Sequence, residues 1–270
     1  MKKTFLLFIV LGFAVSVQAQ RLELSVEGGA NYTYISDFAT TDFLYRDNNQ
    51  LYNPIIELNH QFKGKAGGRM QANMHYTLTP KVKLYYAAGL TLNRFNYTVS
   101  VKVPENSEIG TDGPFGDWVV IGEGSGGILL PEVLGMDMTI PEYPNDDRIG
   151  NTSLAYLNQQ IGAHYAIDNR WSVNTGLAVN YLVIARQHVV GYRYNEETAA
   201  SESFVYQEKS HKYFSTVAFE FDAGISYQII SQLGINLQAR KSLTSVYQDS
   251  NREARPATLS LGLAYKLKSW

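Results

Sequence analysis

The sequence predicts an all-β protein: an antiparallel up-and-down transmembrane β-barrel of eight strands, with long extracellular loops and short periplasmic turns. Three observations predict it. Apolar and polar residues alternate with period two through eight segments. The connections between those segments alternate between tight turns and long loops. Aromatic residues, drawn from 19 Tyr, 12 Phe and 3 Trp, gather at the two ends of the apolar faces.

The elements follow in order. The first strand sets Leu22, Leu24, Val26, Gly28, Ala30 and Tyr32 against Glu23, Ser25, Glu27, Asn31 and Thr33. The second alternates from Ala66 to Leu78, with Lys65, Arg69, Gln71, Asn73 and His75 on its polar face. The third runs from Val82 to Leu92. Its apolar phase then slips to Phe95, Tyr97 and Val99, which predicts a β-bulge near Asn93. The fourth spans Leu157 to Ile167, the fifth Trp171 to Val183 and the sixth Val217 to Ile229. The seventh spans Leu233 to Ala239 and the eighth Ala257 to Leu267. Thr79-Pro80-Lys81, Asp168-Asn169-Arg170 and Ser231-Gln232 have the composition of tight hairpin turns. The remaining connections, 35–62, 98–150, 187–212 and 247–255, are the long loops. Within 98–150, Trp118 to Ile121 and Ile128 to Leu130 are able to add a hairpin above the membrane or extend the wall. Tyr76, Tyr165, Trp171, Tyr227 and Tyr265 form one expected girdle, and Tyr32, Phe95, Tyr97, Tyr181 and Phe219 the other.

Residues 1–19 read as a signal peptide and 20–270 as the barrel domain. Lys2 and Lys3 precede an apolar run, Phe5 to Val17, that is too short to span a bilayer comfortably, and Val17-Gln18-Ala19 suits cleavage. The chain has no Cys, which excludes a lipid-anchored lipoprotein, disulfides and thiol chemistry.

Alternation alone does not separate a lipid-facing barrel from a soluble one with an apolar lumen. The polar faces decide it. They carry Asn, Gln, Ser, Thr and Gly with few charges, which suits a crowded interior. Glu23, Glu27, Glu220 and Asp222 stand there against Lys65, Arg69 and Arg240. An eight-stranded barrel is filled by its own side chains, and buried charges need partners, so these residues are expected to form a paired interior network. His75 and His164 belong to the same faces near the turns, as hydrogen-bonded fillers.

The loops are acidic. Loop 98–150 holds ten Asp and Glu against Lys102 and Arg148. Such a surface repels nucleic acid and attracts divalent cations or a cationic envelope protein. Basic residues recur at the loop-side ends of the strands: Lys63, Lys65, Arg94, Arg186, Lys212, Lys241 and Arg255. We expect Lys63, Arg186, Lys212, Lys241 and Arg255 to contact the lipopolysaccharide phosphates of the outer leaflet, with Lys65 and Arg94 able to face inward.

No catalytic signature is present: there is no G-x-S-x-G, no H-E-x-x-H and no Cys/His metal spacing. The segment IGEGSGG around Gly124 lacks the strand-to-helix context of a phosphate loop. Asp146-Asp147 lies in no EF-hand spacing. His211 and Ser215 are the best pair for an outer-leaflet hydrolase, yet four residues of strand separate them by roughly 13 Å. The sequence thus favours a non-enzymatic protein without a cofactor, whose loops bind a partner or protect the envelope. A lipid-modifying enzyme and a small gated channel are the alternatives.

The chain resembles the PorT-like outer-membrane β-barrel proteins of Bacteroidetes. The resemblance rests on Val17-Gln18-Ala19-Gln20, on Gly28-Gly29 in the first strand, on the segment VKLYYAAGLTLNRF from Val82 to Phe95, and on LGLAYKL from Leu261 to Leu267. It covers most strands and little of the loops. It implies an integral barrel of the outer membrane and carries over no residue role. Trp270 is terminal but out of phase with Tyr265 and Leu267, so the usual C-terminal aromatic is only partly matched.

Overall fold

The computed structural model describes residues 22–40, 57–102, 118–120, 148–195, 200–248 and 252–269. They form β1 (Leu22–Thr40), β2 (Glu57–Thr77), β3 (Val82–Lys102), β4 (Trp118–Val120), β5 (Asn151–Ala166), β6 (Trp171–Asn195), β7 (Ala200–Glu208), β8 (Val217–Ile230), β9 (Leu233–Ser242) and β10 (Arg252–Ser269). Eight of them close a ring in the order β1-β2-β3-β5-β6-β8-β9-β10, with β10 returning to β1 and every pairing antiparallel. β4 adds to the upper part of β3, and β7 to the upper part of β6.

Closure is oblique. A row of directly paired residues leaves β2 at Lys65 and passes Thr33, Thr258, Arg240, Asp222, Gly176, Gly162 and Tyr85. It re-enters β2 at His75, ten residues nearer the short turns. That stagger is what tilts the strands of a closed barrel against its axis.

The burial pattern is inside out. Leu90, Leu157, Ile161, Leu177, Leu261 and Leu263 face outward and are exposed, whereas Glu27, Asn31, Arg69, Gln71, Asn158, Gln160, Asp222, Gln238 and Arg240 face inward and are buried. A soluble barrel would show the reverse. An apolar outer wall around a polar interior fits a bilayer, where a closed ring of strands satisfies every backbone hydrogen bond.

The turns explain themselves locally. Thr79 Oγ1 accepts hydrogen bonds from the backbone N–H groups of Lys81 and Val82. Asp168 Oδ1 accepts from those of Arg170 and Trp171, both at 2.7 Å. These contacts hold the Asp168 carboxyl below its ordinary range.

The structure corrects the sequence reading in four places. The strands run further toward the loops than expected: β1 reaches Thr40, β2 begins at Glu57, β3 reaches Lys102, β5 begins at Asn151, β6 reaches Asn195 and β10 begins at Arg252. Polar strand extensions above the bilayer lose the apolar alternation that marks a lipid-facing wall, so they read as loop. Second, there is no bulge at Asn93, because β3 pairs with β5 without a break. The slip lies in β2, between Lys65 and Gly68, opposite Arg94 and Leu92. A matching slip in β6 sets Leu182 and Ile184 against Tyr156 and Ala155. Third, Phe95 and Tyr97 are buried inside the barrel and not part of the outer girdle. Fourth, Lys65 lies beyond the β2 slip on the outer face, where it hydrogen-bonds Asn151, so it takes no part in the inner network.

Of the loop segments noted in the sequence, Trp118 to Val120 forms the short strand β4. Residues 1–21, 128–130, 146–147 and Trp270 lie outside the described residues.

Candidate functional site

The lumen has three layers along its axis. The middle layer is a polar network. Arg69 forms an ion pair with Glu27 and donates to Gln238. Gln238 Nε2 donates to Asp222 Oδ2 at 2.6 Å. Arg240 donates to Gln160 at 3.1 Å and to Gln238 at 3.3 Å, and its Nη1 lies 3.9 Å from Glu220. Asn236 and Gln71 both donate to Glu27. Asp222 takes its second hydrogen bond from a phenol: Tyr85 Oη donates to Oδ2 at 3.2 Å and accepts from Gln160 at 2.7 Å. Glu27, Arg69, Asp222 and Arg240 come from four different strands, β1, β2, β8 and β9, which the ring brings together.

Tyr85 reaches across the sheet because two neighbours lack side chains. A Cβ on Gly162 would lie 2.6 Å from the Tyr85 ring, and one on Gly176 would lie 2.6 Å from its hydroxyl. Gly162 and Gly176 stand next to Tyr85 along the same paired row.

On the periplasmic side the network opens into a vestibule of about 230 Å³ lined by Ser25, Asn73, His75, His164, Asn174 and Asn236 among others. The His75 and His164 rings meet edge to face with centroids 5.0 Å apart, and Tyr85 packs on His164 at 4.7 Å. Ser25 lies in hydrogen-bond contact with His75 at 3.4 Å. At the mouth Glu23 pairs with Lys83 and Lys266. Lys83 and Lys266 were not among the expected network residues. They sit on the inward parity at the turn ends of β3 and β10, Lys83 between Val82 and Leu84 and Lys266 between Tyr265 and Leu267, so the alternation itself marks them as inward.

On the loop side the lumen closes on an apolar layer built from Phe95, Tyr97, Leu154, Tyr156, Leu182, Phe214, Val246 and Tyr247, with Phe62 stacked on Tyr97 at 4.5 Å. The slips in β2 and β6 produce it. Above each slip the residues that continue the apolar phase, Phe62 and Ala185, turn inward. A lumen with paired charges in the middle and aromatic rings above offers no continuous polar path through the described residues.

The five expected lipopolysaccharide contacts fall in different settings. Lys63 and Arg186 are exposed on the outer face of β2 and β6. Lys212 lies between β7 and β8, with its Nζ 5.7 Å above the Tyr213 ring. Lys241 faces outward opposite Phe221. Arg255 pairs with Glu253 at 3.0 Å. Ser215 Oγ donates to the Tyr247 carbonyl. Among the described residues no group of three or more His, Asp or Glu is arranged to hold a metal ion.

No protein-family model and no curated relative matches the chain. Among solved structures it is similar to Ail, the attachment invasion locus protein of Yersinia pestis, crystallised with the heparin analogue sucrose octasulfate. The identity is 10%, the match covers 92% of this chain and 99% of that one, and the TM-score is 0.38. Neisserial surface protein A gives 8% identity, 90% and 97% coverage and a TM-score of 0.39. The outer-membrane protease OmpT from Escherichia coli gives 10%, 92%, 96% and 0.39. At these scores the likeness carries no ligand, activity or partner to this chain. The wall itself places the molecule. Tyr165 and Trp171 are exposed at the turn end, and Tyr32, Tyr34 and Tyr181 at the loop end, with exposed Leu, Ile and Val between them. Two aromatic bands around an apolar belt, with short turns below and long connections above, are the build of an outer-membrane barrel. The chain is an integral outer-membrane β-barrel.

Proposed function

We propose that this barrel is a non-enzymatic display scaffold of the PorT-like kind, whose acidic loops bind divalent cations or a cationic envelope protein. The observation that carries the reading is the filled lumen. Interior charges are paired, the loop end is capped by aromatic rings, and strands continue upward past the aromatic band. The β6–β7 hairpin, from Gln187 opposite Glu208 to Asn195 opposite Ala200, stands on that side, as does the β2–β3 extension up to Glu57 opposite Lys102. The ten acids of segment 98–150 supply the charge for an electrostatically steered partner.

The test compares the full chain with two shortened forms, one lacking 103–147 and one with the β6–β7 hairpin replaced by a tight turn. Each is cross-linked in intact cells and its partners are identified. Loss of a reproducible partner from a folded, membrane-inserted shortened form supports the reading. Unchanged partners in both forms overturn it.

A further inference from the structure

Several charges of this molecule outside the buried network are answered by an opposite charge. Arg255 has Glu253, and Lys83 and Lys266 share Glu23. One patch instead gathers several basic residues together. Lys65 of β2 stands directly opposite Arg94 of β3, Arg94 opposite Ser153 of β5, and Ser153 opposite Arg186 of β6. All four lie on the outer face. Lys63 stands two residues above Lys65 on the same face, and the exposed Lys209 follows directly on Glu208, the residue paired with Gln187 next to Arg186.

Like charges placed directly opposite on neighbouring strands repel. Here Lys65 and Arg94 are such a pair, and at their level no carboxylate is paired opposite them on β2, β3, β5 or β6 among the described residues. Glu208, the nearest along the chain, stands opposite the buried Gln187 on the other side of the sheet. The amides present do not neutralise the patch. Asn151 Oδ1 accepts from both Lys65 and Asn96 and leaves the guanidinium groups of Arg94 and Arg186 to solvent.

The depth of the patch specifies the anion. Toward the membrane on the same strands, Leu92, Leu157, Val183 and Ile184 face outward, all exposed. A ligand held here has its charge among the guanidinium and ammonium groups and its apolar part along the leucine wall. Adjacent strands are about 4.8 Å apart, so Lys65 and Arg186 span roughly 14 Å of wall. That width suits a headgroup bearing more than one phosphate.

We propose that the outer face of β2-β3-β5-β6 at this level is a binding site for the phosphorylated sugar headgroup of an outer-leaflet glycolipid. Arg94 and Arg186 grip phosphate oxygens in bidentate fashion, and Lys63, Lys65 and Lys209 act as point charges around them. The site sits on the barrel wall and is independent of what the loops bind.

The test uses the full chain purified from outer membranes in mild detergent. Two double variants, Arg94→Gln with Arg186→Gln and Lys63→Gln with Lys65→Gln, are compared with a control at the short-turn end of the barrel, Lys81→Gln with Arg170→Gln. Folding is checked for each by thermal unfolding, and bound glycolipid per barrel is measured by native mass spectrometry. Each lost charge-assisted contact is expected to reduce retention by about tenfold, so the first two variants lose the lipid and the control keeps it. A second measurement titrates the wild-type barrel with phosphorylated and dephosphorylated forms of the glycolipid in nanodiscs, with inorganic phosphate as competitor. Preference for the phosphorylated form, undisturbed by millimolar phosphate, supports the proposal. Equal loss in all three variants, no loss in any, or full displacement by inorganic phosphate overturns it.

Discussion

Glu27 and Arg69 are joined in a ring-closed network where each also holds neutral amides, so neither is replaceable alone. Removing one partner of a buried ion pair leaves an uncompensated charge, at a cost of about 3–5 kcal/mol. Arg69→Ala is therefore expected to lower the urea midpoint in lipid vesicles sharply. The double change Glu27→Gln with Arg69→Gln should recover much of that loss, and a double variant as unstable as the single one would count against the pairing. Tyr85 gives a second test. Gly176→Ala would set a methyl group 2.6 Å from its hydroxyl, and overpacking of this kind costs about 1–3 kcal/mol. In a Tyr85→Phe background the same substitution should cost less but not nothing, because the hydroxyl is gone while the Ile161 carbonyl stays 2.6 Å and Asp222 Oδ1 2.9 Å from the new methyl. Much of this chemistry was legible in the sequence: the parity of Glu27, Arg69, Glu220, Asp222 and Arg240 assigns them inward. What parity cannot supply is partner choice. Asp222 meets Tyr85 and Gln238, and the offset of ten residues around the ring, a sum over eight registers, decides that.

At the scale of the element, the slip in β2 governs two surfaces at once. It sends Phe62 inward onto Tyr97 and leaves Lys63 and Lys65 outside. The sequence shows that a phase change occurs, through Phe95 and Tyr97, but assigns it to β3. An apolar run that moves to the other parity looks the same whether the strand slips or the lumen itself turns apolar. Here β3 stays regular and its inward face changes from Asn93 to Phe95. Deleting Gly67 removes the extra residue of the slip, sets residue 66 alone opposite Asn93 and should leave both faces above it as they are. The native chain has no Cys, so single cysteines at 62 and 63 report this directly. Position 63 is expected to react with a membrane-impermeant maleimide and position 62 not, in the full chain and in the deletion alike, and an order that reverses on deletion would contradict the slip. The turn at Asp168 makes a smaller prediction. Its carboxyl is held low by the N–H groups of Arg170 and Trp171, so its contribution is present above the unfolded-state value and fades as pH falls through the lower folded value. Carboxyl NMR should place the Asp168 titration below that of an ordinary exposed aspartate, and an ordinary value would contradict the turn geometry.

For the whole molecule, the alternation of short and long connections was the most informative sequence feature, because it fixes strand number, orientation and closure together. The heights of the strands were less legible. Above the aromatic band the outward residues are polar, so β6 up to Asn195 and β7 leave no lipid-facing pattern to follow. The account's central claim is that the barrel is filled, with function displayed on its outside. Paired charges at Arg69 and Arg240 and the aromatic layer from Phe95 to Tyr247 both interrupt the lumen. Conductance of the purified full chain in planar bilayers tests this most directly. The account predicts insertion without resolved steady openings, and a steady ion current through the wild-type barrel would contradict it.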